Sequence, residues 1–255
     1  MHILKQLSTK KGRDETKLFV VEGENAVAEI PDHQVVKRYV FSQSYANTHV
    51  LQVSHYQKRA PIEILGDAVF VRYSDTKNPQ GITAICEMAI QGHYSALIKN
   101  DSFLILGETL QDPGNVGTLI RTAAAAGAQG VLLTAGSADI YNPKTLRAAA
   151  GAVLRLPVFT GIDAVKFLTF LQSEGIHRYA AHPRGKDLPY HVDMKKGLCL
   201  LIGNEAHGLS DTVLSHANAQ IRLPMSNETE SLNASTAGAV LLYEVLRQRH
   251  FSTPM

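Results

Sequence analysis

From Phe103 to Arg249 the chain alternates apolar strand-like runs with amphipathic helical stretches, and that alternation restricts it to an α/β architecture. Strands are expected at Phe103–Gly107, Val131–Thr134, Arg178–His182, Leu198–Ile202 and Gln220–Leu223. Helices are expected at 115–127, 143–151, 164–175, 209–217 and 234–249. Short apolar strands separated by helices give a mostly parallel sheet covered on both faces. Asp112-Pro113-Gly114-Asn115 follows the first strand, so a polar loop opens at a strand's carboxyl end. Open α/β sheets place ligands there, beside the free N–H groups of the next helix. Asn115 reads as the cap of that helix, with Val116, Leu119, Ile120 and Ala123 on its apolar stripe and Gly127 closing it.

Residues before about position 95 form a smaller α/β pattern. A helix and basic turn precede the run Leu18–Val21, and further runs fall at Arg38–Phe41, Glu63–Leu65, Val69–Val71 and Ile82–Met88. Gln91-Gly92-His93-Tyr94-Ser95 breaks the periodicity and reads as a linker, dividing the chain into units at 1–93 and 98–255.

With 25 Lys/Arg against 23 Asp/Glu, the net charge is only +2. The excess lies in the first part, where Lys10, Lys11, Arg13 and Lys17 make a local basic patch suited to phosphate contact. Cys86 and Cys199 sit in apolar runs, are expected to be buried free thiols, and have no partner at metal-ligand spacing. No apolar run reaches the ~20 residues of a membrane span, and the chain reads as cytoplasmic, with no membrane partner. There is no Gly-x-Gly-x-x-Gly after a strand, no phosphate-binding P-loop and no Gly-x-Ser-x-Gly elbow. These absences disfavour a dinucleotide enzyme and a serine hydrolase.

Three segments carry the chemistry. The first is Asn115-Val116-Gly117-Thr118-Leu119-Ile120-Arg121, where Arg121 offers a fixed guanidinium near a ligand loop. The second is Leu200-Leu201-Ile202-Gly203-Asn204-Glu205, where Gly203 permits close backbone approach. The third is Leu223-Pro224-Met225 followed by Ser231-Leu232-Asn233-Ala234-Ser235, which joins an apolar wall to polar groups at a helix start. In order and spacing the three resemble the motifs of the SpoU/TrmH-type RNA ribose 2′-O-methyltransferases of the SPOUT superfamily. The earlier segments 17–23 and 78–82 resemble a ribosomal-protein-like substrate-binding domain.

That resemblance implies a C-terminal trefoil knot and a homodimer whose active sites lie near its interface. It implies S-adenosylmethionine held by Ile202, Gly203, Asn204, Leu223, Met225 and Leu232. Arg121, Asn115, Glu205, Ser231 and Asn233 match the family's catalytic and polar site positions. No metal is implied. The expected reaction is methyl transfer to a ribose 2′-hydroxyl of structured RNA, with ribosomal RNA favoured over transfer RNA. The alternatives are a non-catalytic RNA-binding member of the fold, such as a ribosome-assembly factor, or an unrelated nucleotide-binding enzyme.

Overall fold

The computed structural model describes residues 2–226 and 232–251. Two sheets organise it. The N-terminal sheet contains β1 (Leu18–Glu22), β2 (Val36–Ser42), β3 (Ile62–Leu65) and β4 (Ile82–Glu87) in the order β1-β4-β2-β3. Its β1–β4 and β4–β2 pairs are antiparallel, and β2–β3 is parallel. The segment 67–73 is a helix rather than the strand expected at Val69–Val71. Three alternating residues do not separate the two periods, and Phe70, with its neighbour Val69, packs into the core beneath the sheet as one face of that helix.

The C-terminal sheet contains β5 (Phe103–Gly107), β6 (Gly130–Thr134), β7 (Val158–Ile162), β8 (His177–Ala181), β9 (Leu198–Ile202) and β10 (Ala219–Ile221), in the order β10-β8-β9-β5-β6-β7. Every pair is parallel. Along β5, Phe103 and Ile105 join one core while Leu104 and Leu106 join the core on the opposite face. That is the two-residue period of a strand buried on both sides. β7 escaped the sequence pattern because it is an edge strand, interrupted by Gly161 and a register shift against β6.

The helix Pro113–Ala125 lies between the helices Pro143–Ala149 and Ala234–His250. At Gly117 an added Cβ would sit 2.4 Å from the Thr145 carbonyl oxygen, so hydrogen is the only side chain that permits this approach. The cap of this helix is Asp112, not Asn115: its Oδ1 accepts from the Asn115 N–H at 2.9 Å, with Pro113 at the first helical position. Lys144 donates to the other Asp112 oxygen at 2.7 Å. Hydrogen bonding to Lys144 and to the Asn115 N–H holds this carboxyl below the usual carboxylate range.

Cys86 and Cys199 are buried and free. Burial pushes the Cys86 thiol up to about 12 and raises that of Cys199 as well. Among the described residues no helix is long and apolar enough to cross a membrane.

The two sheets share side chains. Tyr141, Leu146 and Leu154, from the C-terminal part, pack into the core of the N-terminal sheet. Tyr141 packs on Phe19 with ring centroids 4.5 Å apart, and its hydroxyl accepts from the Ala89 N–H. Arg147 pairs with Asp75, and Arg155 with Glu29 at 3.1 Å.

Candidate active site

β5 and β9 are neighbours, yet the chain leaves β5 toward β6 on the other side. Their carboxyl ends therefore form the point where strand order reverses, the expected place for a ligand. Glu108 N–H donates to the Ile202 carbonyl at 2.8 Å, tying the two exits together. Thr109 then takes a left-handed conformation, φ 51°, and its carbonyl accepts from Asn204 Nδ2 at 2.7 Å. Asn204 Oδ1 in turn accepts from the N–H groups of Ala206 and His207. This side chain braces the loop after β9 rather than reaching outward. At Gly203 an added Cβ would lie 2.2 Å from the Gly208 carbonyl carbon. The loop folds back against its own start, which requires glycine.

A cavity of about 320 Å³ opens beside this loop. Ile202, Gly203, Asn204, Leu223, Met225 and Leu232 all line it. Leu209 and Ile221 add apolar lining to the leucines above. His182 and Arg184, which the sequence pattern does not single out, stand on its wall, as does His207. The signal for the first two was their position, directly after the parallel strand β8.

Next to the cavity, polar side chains from all three segments meet. Asn115 Nδ2 donates to Glu205 Oε1 at 2.8 Å. Asn233 Nδ2 donates to Asn115 Oδ1 at 3.0 Å, and Ser235 Oγ approaches the same oxygen at 3.3 Å. Asn233 Oδ1 caps the last helix by accepting from Ser235 N–H at 2.9 Å. Ser235 is buried and fully engaged here, where its place at a helix start leaves a cap and a site role equally open in the sequence. Ser231 lies outside the described residues. Arg121 is on the same helix as Asn115, but exposed, with no ion pair or hydrogen bond among the described residues. It joins neither the cavity wall nor the Asn115 cluster within one chain. Among the described residues no group of three or more His, Cys, Asp or Glu side chains is placed to hold a metal ion.

In the basic patch, Lys10, Lys11 and Lys17 are exposed. Arg13 is not: it is 2% exposed, ion-paired with Asp139 at 2.6 Å, and donates to the Leu7 carbonyl at 2.8 Å. Its expected role in phosphate contact is corrected, since its guanidinium is consumed inside the junction between the two sheets.

Residues 102–243, more than half the chain, match the SpoU rRNA Methylase family. The chain belongs to that family. Residues 1–84 match the MRM3-like substrate binding domain. Among the relatives of this SpoU-family chain is the 23S rRNA (guanosine(2553)-2′-O)-methyltransferase RlmP of Bacillus subtilis, 31% identical over 242 residues, covering 94% of this chain and 93% of its own. An AdoMet-bound rRNA methyltransferase from Sinorhizobium meliloti superposes with a TM-score of 0.87 at 28% identity, covering 98% and 95% of the two chains. The SpoU methyltransferase AviRb from Streptomyces viridochromogenes, also in complex with AdoMet, shares the fold at a TM-score of 0.89 and 23% identity over 98% and 97%.

Proposed function

We propose that this protein transfers a methyl group from S-adenosylmethionine to a ribose 2′-hydroxyl of ribosomal RNA. The observation that carries the reading is the meeting of Asn115, Glu205, Asn233 and Ser235 at one hydrogen-bonded cluster beside the 320 Å³ cavity.

The cavity suits the cofactor. Its apolar residues suit a flat purine, and the polar side chains beside them offer hydrogen-bond partners. Ile202, Gly203, Asn204, Leu223, Met225 and Leu232 would hold the group. When bound it supplies an activated sulfonium methyl. The rest of the work falls to the chain. Glu205, fixed by Asn115, places a carboxylate at the cavity mouth. Arg121 holds a phosphate of the target nucleotide and so orients the 2′-hydroxyl for in-line attack. It would position the hydroxyl, whose proton would pass to solvent as the methyl group is transferred. Lys10, Lys11 and Lys17 contribute non-specific attraction for RNA.

In this reading residues 1–93 bind the substrate and 98–255 carry out transfer in the cytoplasm, with the C-terminal region knotted. Two copies pair through the last helix, where Val240 and Tyr243 are 47% and 53% exposed. The second copy would bring a complementary surface to the free Arg121.

The test is tritium transfer from labelled S-adenosylmethionine to total ribosomal RNA, with 2′-O-methyl mapping in cells with and without the gene. A site that disappears with the gene is the expected result. An unchanged methylation map and no transfer in vitro would reject the activity.

A further inference from the structure

A second cavity, of about 290 Å³, lies at the junction of the two sheets, away from the methyl-transfer site. Lys5 comes to it from the first helix, and Arg72 and Tyr73 from the Asp67–Tyr73 helix. Pro143, the first residue of the Pro143–Ala149 helix, closes the far side. Leu7 and Val20 supply an apolar base.

Lys5 and Arg72 face Glu22 and Asp75 around this cavity, and the two pairs differ in what they already hold. Both acidic residues in its wall are engaged. Glu22 accepts from the Asp75 N–H at 2.9 Å and from the Thr76 hydroxyl at 2.5 Å, and Asp75 pairs with Arg147. Lys5 and Arg72 are exposed and have no acceptor among the described residues. The Tyr73 hydroxyl likewise has no partner among them. The cavity therefore offers two free cations, an aromatic ring and a phenol over an apolar base. This set matches one chemistry well: a phosphate beside a flat, hydrogen-bonding ring. Lys10, on the adjoining helix, is exposed as well, whereas Lys11 there pairs with Glu15 at 3.8 Å.

We propose that this cavity is a subsite for one unstacked nucleotide of the RNA substrate, its base against Tyr73 and its phosphate between Lys5 and Arg72. The inference rests on the RNA-methyltransferase reading and adds a second point of RNA capture to it. Its placement has a purpose in the fold. Lys144, adjacent to Pro143, holds Asp112, and Asp112 caps the helix that carries Asn115 and Arg121. RNA held here is registered against the frame that positions the transfer site.

Cross-linking tests this directly. The full-length protein is irradiated with a short random-sequence RNA carrying 5-iodouridine, and cross-linked peptides are mapped by mass spectrometry. A cross-link to Tyr73 is expected; its absence, with cross-links confined to other segments, overturns the subsite. In parallel, the exposed pair Lys5→Ala/Arg72→Ala should weaken binding of the same RNA about tenfold. Its log–log salt slope should fall by about 0.7 for each phosphate that is no longer neutralised. KM for RNA should rise with kcat intact, and S-adenosylmethionine affinity should stay the same. Unchanged RNA affinity and slope in a variant with an unaltered melting temperature overturn the proposal. Methyl transfer without the Tyr73 cross-link sinks the subsite alone, whereas the cross-link without methyl transfer upholds RNA capture and sinks the activity.

Discussion

Asn115 and Glu205, ninety positions apart in the chain, meet through a 2.8 Å hydrogen bond from Nδ2 to Oε1. The same Asn115 accepts from Asn233 at 3.0 Å. One amide thus ties its own segment to two others. Asn115→Ala should release all of them at once. A stability loss of about 1–2 kcal/mol is expected from the unpaired polar groups, with a much larger loss in methyl transfer. Asn115→Asp replaces a donor by a second carboxylate facing Glu205, and should be worse than Ala in single-turnover assays at neutral pH. An Asp variant as active as wild type would remove this pairing from the mechanism.

Arg121 is exposed and unpartnered among the described residues, so its replacement should leave folding untouched. Arg121→Ala and Arg121→Lys should both melt like the parent and bind S-adenosylmethionine normally. Both should lose about 10²–10³ in single-turnover rate, because Lys keeps the charge but lacks the planar two-pronged donor set. Wild-type turnover in Arg121→Ala would show it to be a bystander.

Gly203→Ala tests the folded-back loop. Its Cβ would meet the Gly208 backbone at 2.2 Å, which a rotamer change cannot relieve. The loop should shift, at a cost of about 1–3 kcal/mol, and calorimetry should show cofactor affinity strongly reduced. Unchanged affinity would mean that this backbone does not border the cofactor.

Asp112 gives the protein an acid-sensitive element. Its carboxyl is held below its ordinary range by Lys144 and the Asn115 N–H. A depressed folded-state value stabilises the native state above the unfolded carboxylate range, near pH ~4. That stabilisation is lost as pH falls through the folded-state value. Asp112→Asn should therefore flatten the acid limb by lowering stability near neutrality, where the carboxylate is charged, and should approach the parent in strong acid. Thermal melts from neutral to strongly acidic pH measure this, and parallel profiles for the two proteins would contradict it.

The basic patch separates into two behaviours. Lys10, Lys11 and Lys17 are exposed, so their joint replacement by Ala should lower RNA affinity and its salt slope without changing the melting temperature. Arg13→Ala leaves Asp139 without its buried partner and should cost about 3–5 kcal/mol. Equal melting temperatures for the two variants would refute the distinction.

The sequence made β5 and β9 legible to the residue, because strands buried on both faces leave an unbroken apolar run between polar loops. The six residues that the family resemblance assigns to the cofactor line one cavity, a grouping that only the fold displays. What stayed hidden depended on context. Arg13 and Lys10 look alike in a charge count, and only the position of Asp139, far along the chain, decides which is buried. By residue type Asn115 is as good a cap as Asp112, and only Pro113 in the first turn favours Asp112. Ser235 reads as a helix-start residue, and its second partner, Asn115, is purely tertiary.

Tyr141, Leu146 and Leu154 complete a core that belongs otherwise to the N-terminal sheet. The front part of this chain is therefore not a detachable cassette. Grafting it onto a different transfer unit, or replacing it with another substrate-binding module, would leave an apolar wound on one side and stranded aromatic surface on the other. Any exchange of specificity between relatives has to carry the 139–155 stretch along with the module it supports.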